Sequence, residues 1–212
     1  MPANSYPDNE PRMTVPVHFL HIRKTGGMAI KAALRPVAAE YGIVLHPHTT
    51  KLQDLPRFER VFFAVRDPVV RFVSGFNSRL RMGRPLLDSK WSEGEAIAFA
   101  NFRTPNELAE ALSSDGARHE ALLAMREIRH VNAPLTTWIS SPEEVRARLC
   151  DIVWILRTET LAKDFEIVRR ALALPPDIRV PVDDLTSHRT PDGFLTSLSP
   201  KGRKNIEVWY AE

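Results

Sequence analysis

Val17-His18-Phe19-Leu20-His21-Ile22-Arg23-Lys24-Thr25-Gly26-Gly27-Met28 runs from an apolar segment through a basic, glycine-ended turn into the start of a helical pattern. Strand, glycine turn, helix is an arrangement that builds anion sites. The two glycines let the backbone come close to an oxygen-rich group, and the first N–H groups of the helix have no partner within it. The helix dipole also favours negative charge there. Lys24 adds a full positive charge. A Walker A loop requires G-x-x-x-x-G-K-[ST], with the lysine after the glycines, whereas here Lys24 precedes Gly26 and Gly27. On these residues alone the stretch is either a phosphate or sulfate site or an ordinary tight turn.

Downstream, Ile30, Ala33, Leu34, Val37 and Tyr41 recur at i, i+3, i+4, i+7 and i+11, one face of a helix that Pro36 should kink or end. Gly42 stops the pattern, and Ile43, Val44 and Leu45 are expected to form a short buried strand. The result is a β-α-β unit and the start of a parallel sheet. His46-Pro47-His48-Thr49-Thr50 then falls at the carboxyl end of this second strand, the edge where open α/β sheets bind ligands. Extended backbone through Pro47 would aim His46 and His48 to one side. Such a pair can serve as a base, bind a metal or simply be solvated. No cysteine cluster, H-E-x-x-H or nearby carboxylate accompanies it, so no metal site is expected.

Val61 to Val65 is a continuous apolar run, hence a central strand. Arg66 ends it, Asp67 is placed to cap a helix, and Pro68 suits the first helical position. The core face of that helix is Val69, Phe72, Val73, Phe76 and Leu80, and the opposite stripe is Arg71, Ser74, Ser78 and Arg81. A charge at the end of a buried strand, as at Arg66, needs a partner.

Lys24-Thr25-Gly26-Gly27 after an apolar strand resembles the 5'-phosphosulfate loop of sulfotransferases that use 3'-phosphoadenosine 5'-phosphosulfate (PAPS). The likeness is to their carbohydrate branch, which includes the heparan sulfate 2-O-sulfotransferases. Phe62 to Arg79 resembles the same family's 3'-phosphate segment, in the same order and spacing. The likeness covers about residues 17–82, and the region from Ile155 to the C-terminus more loosely, with Arg157 to Glu166 resembling the family's late strand-to-helix segment. It implies an α/β, P-loop-type three-layer fold with a central, mainly parallel sheet flanked by helices. It further implies transfer of a sulfuryl group from PAPS to a hydroxyl of a saccharide or glycoconjugate, without a metal. The residues it assigns to PAPS are Arg23, Lys24, Thr25, Gly26, Gly27 and Met28 at the phosphosulfate, Arg66 and Ser74 at the 3'-phosphate, and Arg189 and Thr190 from a late loop. His48, the second member of the histidine pair, would be the base, with Lys24 at the bridging oxygen and His46 as the other catalytic histidine. Met28 and Ala29 stand where that family usually has hydroxyl residues, which puts two side-chain hydrogen bonds in question there. The competing readings are a nucleotide-dependent kinase on a related fold, and a non-catalytic module binding PAP (3'-phosphoadenosine 5'-phosphate) or, through Arg79, Arg81 and Arg84, nucleic acid.

The remaining chain contributes elements more than chemistry. Ser92 with Glu95, Thr104 with Glu107 and Ser141 with Glu144 have capping-box spacing and mark three helix starts, with Pro105 and Pro142 at first helical positions. His119 to His130 reads as another helix, and its cluster of Arg118, Arg126, Arg129 and His130 is read as a solvated face. Trp138 is expected in the core or a groove wall. Asp151 to Leu156 reads as a strand, followed by a helix with Leu161, Phe165, Val168 and Leu172 inward. Pro175 to Gly193 reads as a long loop that orders over the nucleotide, and a last helix starts at Ser199 and Pro200.

With 43% hydrophobic and 26% charged residues over 212 positions, the composition is that of one globular domain, expected over residues 15–212 behind a disordered lead of residues 1–14. A net charge of +3 suits an anionic ligand and is too small to argue for nucleic acid. Cys150 is the sole cysteine, which excludes an internal disulfide framework. A polar, proline-rich start and the lack of a long apolar run predict a cytoplasmic protein.

Overall fold

The computed structural model describes residues 15–181, 191 and 193–211. Four parallel strands, β1 (Val17–Leu20), β2 (Ile43–Leu45), β3 (Arg60–Val65) and β4 (Ile152–Arg157), form a sheet in the order β2-β1-β3-β4. The architecture is α/β with helices flanking this sheet, as the β-α-β pattern predicts. From β1 the chain moves to one side to lay down β2, then crosses to the other side for β3. The reversal leaves a crevice between the carboxyl ends of β1 and β3, where the two loops diverge. Arg23 to Gly26 follow β1, and Arg66 and Asp67 follow β3. Two segments about forty residues apart in sequence thus share one edge of the sheet.

Helix α1 (Gly27–Leu34) and helix α7 (Leu161–Ala171) cover one face, where Val17, Phe19, Phe62 and Ala64 meet Ile30, Leu34, Phe165 and Val168. α1 ends before Pro36, with no helix through to Tyr41, because a proline ring excludes the helical hydrogen bond it would interrupt. Val37 and Tyr41 still pack against this cluster from a turn. β2 is an edge strand: Ile43 is buried, Val44 exposed and Leu45 intermediate, so the expectation of a fully buried strand holds for one residue of three. Leu20, Ile22, Val61 and Phe63 on the other sheet face pack against Leu52, Leu55, Trp138 and Ile139.

Helix α2 (Pro68–Leu80) begins as expected, with Asp67 accepting the Val70 N–H at 2.9 Å. Its apolar face does not close the sheet. Val69, Phe72, Val73 and Phe76 instead join a separate helical core with α3 (Glu93–Asn101), α4 (Pro105–Ala111), α5 (Arg118–Glu127) and α8 (Pro200–Trp209). The opposite stripe is enclosed in part too, with Arg71 and Ser78 buried. Arg71 donates from Nε to the Arg23 carbonyl at 3.1 Å and from its terminal nitrogen to the Ala133 carbonyl, and lies over the Trp138 ring.

The capping boxes at Ser92 and Thr104 form completely. At α6 (Pro142–Ala147) Ser141 caps Glu144 N–H, while the Glu144 carboxylate accepts from Ser140 instead of closing the box. Glu95 does far more than cap. Fully buried, it accepts from Arg79 through both oxygens at 2.6 and 2.7 Å and from the Arg129 backbone N–H at 3.1 Å, tying α2 and α3 to the segment after α5. Among the described residues no helix is long and apolar enough to cross a membrane.

Candidate functional site

Lys24 and Gly26 both adopt positive φ, 65° and 80°, so the chain leaves β1 in a tight left-handed reversal before α1 starts. Gly26 meets that demand without strain, and Lys24, carrying a side chain, holds an uncommon conformation of the kind that concentrates at functional sites. Gly27 is needed for space. A Cβ there would lie 2.1 Å from Cδ2 of His21, whose ring is laid across the first turn of the helix. α1 has no side-chain cap and no acidic residue in its first turn, so its leading N–H groups and the positive end of its dipole face outward unopposed.

This helix end opens into a cavity of about 800 Å³ in the crevice between β1 and β3, a size typical of small-molecule sites. Lys24, Gly26, Gly27 and Met28 line it from the first loop, Arg66 and Ser74 from the β3–α2 segment, and His48 from the loop after β2. The far wall is Thr158 to Lys163, the start of α7. That wall is held by Thr158, whose hydroxyl donates to the Val65 carbonyl at 3.0 Å, and by Glu159, which accepts the Asp67 N–H at 3.0 Å. Val70, Val73, Leu161, Val180 and Pro181 supply apolar surface.

The charge is one-sided. Arg23, Lys24, Arg66 and Lys163 face the cavity against the single carboxylate of Glu159 among the described lining residues. Burial, with Arg81 and Arg66 nearby, pushes the Lys24 pKa down to about 7. Arg66 has a buried Nε without a hydrogen-bond partner among the described residues, and its one bond is a 3.4 Å contact from NH1 to the Lys24 carbonyl. Glu159 and Asp67 offset part of the Arg66 charge, and the remaining positive excess of the wall suits an anion.

His48 and His46 diverge. The loop turns at once, with Thr50 N–H donating to the Pro47 carbonyl at 3.1 Å, so the two residues do not share an extended segment. His48 reaches the cavity rim, anchored by the Trp138 indole N–H donating to its carbonyl at 2.7 Å. Partial burial and the charges of Arg23 and Lys31 hold its pKa below the ordinary histidine value, so it is uncharged at neutral pH. His46 is not among the lining residues. It pairs with His18 Nδ1 through Nε2 at 2.8 Å, and His18 bonds onward through Nε2 to Glu59.

Of the other expected residues, Thr25 is buried and its hydroxyl donates to the Ile22 carbonyl at 2.9 Å, so only its backbone remains for a ligand. Arg189 and Thr190 lie outside the described residues, as does the middle of the loop expected to order over the nucleotide. Two histidines enter the site beyond those expected. His21 packs edge-on to His48, their ring centroids 6.0 Å apart, and burial pushes its pKa down to about 3. His130 was read as part of a solvated helix face, but α5 ends at Glu127 and the chain turns inward through a positive φ of 73°. It lines the cavity, and burial, with Lys24 and Arg23 next in weight, likewise brings its pKa to about 3. The signal for His21 was its place directly before the loop. Nothing local to His130 announces its role, since the Glu95 contacts that fix this segment come from thirty-odd residues away.

Among the described residues no group of three or more His, Cys, Asp or Glu is arranged to hold a metal ion. No protein-family model, curated protein or solved structure matches the chain.

Proposed function

We propose that this chain is a sulfotransferase that moves the sulfuryl group of PAPS to a hydroxyl of an acceptor, with a saccharide or glycoconjugate as the expected class. The observation that carries the reading is the convergence of Lys24, the bare N-terminus of α1 and the unsatisfied Arg66 on one cavity at the sheet's switch point. Two separated cationic stations in one crevice suit a ligand with two separated anionic groups. The resemblance of the same two segments to the phosphosulfate and 3'-phosphate segments of PAPS-dependent enzymes names that ligand.

The residues present fit it. Lys24 and the backbone N–H groups of Gly26 to Ala29 would hold the 5'-phosphosulfate, so the hydroxyl residues absent at Met28 and Ala29 are replaced by main-chain donors. Arg66 and Ser74 would hold the 3'-phosphate, and the apolar wall of Val70, Val73 and Leu161 would accept a purine face. When bound, PAPS supplies an activated sulfur whose bond to the bridging oxygen breaks as the acceptor oxygen bonds to it. His48, neutral at the rim, takes the acceptor's proton. Lys24 neutralises the charge that develops on the bridging oxygen. His46 and Glu59, one on each side of His18, steady the loop from behind.

Thermal unfolding tests the donor assignment. PAP should raise the melting temperature more than ATP or ADP without magnesium, and a ligand at 100 times its Kd adds about 2.7 kcal/mol. Arg66→Ala should weaken PAP, since a charge-assisted hydrogen bond contributes roughly 1.5 to 3 kcal/mol, and Ser74→Ala should do less. Stabilisation by ATP that needs magnesium would replace this reading with a kinase.

A further inference from the structure

At the edge of the sheet opposite the cavity, just before β3, Phe58 stands 88% exposed, the highest figure for any large apolar side chain among the described residues. Its backbone holds a φ of 68°, a left-handed conformation that a bulky residue rarely adopts. Buried groups enforce it. Arg148 and Asp151, both buried and paired with each other, stand on the turn between α6 and β4. Arg148 also donates to the carbonyls of Leu52, Leu55 and Pro56, which fixes the path of the chain up to Pro56. The other Asp151 oxygen accepts the Phe58 N–H at 3.2 Å. Between the paired residues Leu149 is turned out as well, 62% exposed. Arg57 donates to the Ala147 carbonyl, so the two exposed apolar side chains stand on neighbouring segments of one rim.

The uncompensated charges around them have one sign. Arg57 is exposed and Arg60 half-buried, each donates only to a backbone carbonyl, and neither has an ion-pair partner among the described residues. The nearby carboxylates are engaged: Glu59 is turned in to His18, Asp54 accepts the Lys51 N–H, and Glu143 pairs with Arg146. A projecting phenylalanine between two arginines, held out at the cost of backbone strain, suits a boundary between hydrocarbon and anionic headgroups. We propose that this rim docks on an anionic lipid bilayer, with Phe58 and Leu149 inserted at the headgroup boundary and Arg57 and Arg60 on lipid phosphates. A protein partner fits less well, because two apolar side chains fall far short of the surface that a standard protein interface buries. The cavity lies at the opposite edge of the sheet, so it stays open to solvent in the docked state.

Co-sedimentation of the full chain with vesicles tests it, using phosphatidylcholine alone and phosphatidylcholine with phosphatidylglycerol at about 7:3. The protein should partition onto the vesicles that contain phosphatidylglycerol and not onto phosphatidylcholine, and more weakly as salt rises. Phe58→Gly and Phe58→Asn suit the left-handed backbone better than phenylalanine, so each should keep or raise the melting temperature while cutting vesicle binding roughly tenfold. Arg57→Gln should cut it about fivefold. No partitioning of the unaltered chain, equal partitioning onto both vesicle types, or binding that survives both Phe58 variants would overturn the proposal. So would a melting temperature lowered by both variants, which would make the ring a part of the fold. A dimer that Phe58→Gly dissociates, seen by sedimentation velocity without any vesicle binding, would overturn it in favour of a second copy of the chain.

Discussion

His48 and Lys24 are separable by experiment because one meets the acceptor and the other the donor. His48→Ala should leave PAP affinity within about twofold and lower turnover by roughly 10² to 10⁴, the usual worth of a positioned base. His46→Ala should cost less, because its ring is committed to His18 and it is not among the residues that line the cavity. Full activity of His48→Ala together with loss in His46→Ala would transfer the role. Lys24→Ala should harm both binding and turnover. Lys24 also sets a pH dependence. Its pKa of about 7 in the free protein must rise when an anion binds, so the bound state holds more proton. PAP affinity is therefore full below pH 7 and weakens above it, by up to about tenfold per pH unit, until the bound-state pKa is reached. Calorimetry between pH 6 and 9 checks this, and Lys24→Arg should flatten the profile.

At the level of elements, the decisive connection is the one made by Glu95. A residue legible in sequence as half of a capping box also neutralises buried Arg79 and receives Arg129, which is how the segment carrying His130 is held against α2 and α3. Glu95→Ala leaves Arg79 buried and unpaired, and the expected loss is about 3–5 kcal/mol of stability, read from urea unfolding. Thr104→Ala, at a capping box with an exposed partner, should cost only about 1 kcal/mol. A similar loss in both variants would reduce Glu95 to an ordinary cap.

For the whole molecule, buried ionisable groups predict two acid limbs. His21 and His130 have folded pKa values of about 3, below their ordinary 6.5, so both fold neutral. Protonation then favours the unfolded chain: stability is complete above pH 6.5 and declines as pH falls toward 3, at up to about 1.4 kcal/mol per pH unit for each group. Glu95, brought to about 2 from 4.5 mainly by its Arg79 and Arg129 hydrogen bonds against the opposing effect of burial, contributes stability above pH 4.5 that is lost between there and pH 2. Unfolding free energies measured from pH 8 to 3 should begin falling near 6.5, and His130→Gln should shallow the first limb without moving the second. A curve flat to pH 5 would contradict the buried, neutral state of both histidines.

Local rules reach far in this chain. Alternation and apolar runs marked all four strands, Asp67-Pro68 and Ser199-Pro200 marked helix starts, and Lys24-Thr25-Gly26-Gly27 marked the turn, because each depends on backbone preferences and neighbours within a few residues. What local rules lack is any account of which surfaces meet. The apolar stripe of α2 was legible but not the helices it would meet, His46 and His48 looked aligned and were parted by a turn, and His130 looked solvated and was carried inward by Glu95. The sequence by itself determined the strand-turn-helix unit and its positive charge. Only the tertiary structure decided that Arg66, His48, His130 and the start of α7 enclose that charge, because burial and electrostatic coupling arise from contacts between segments distant in the chain.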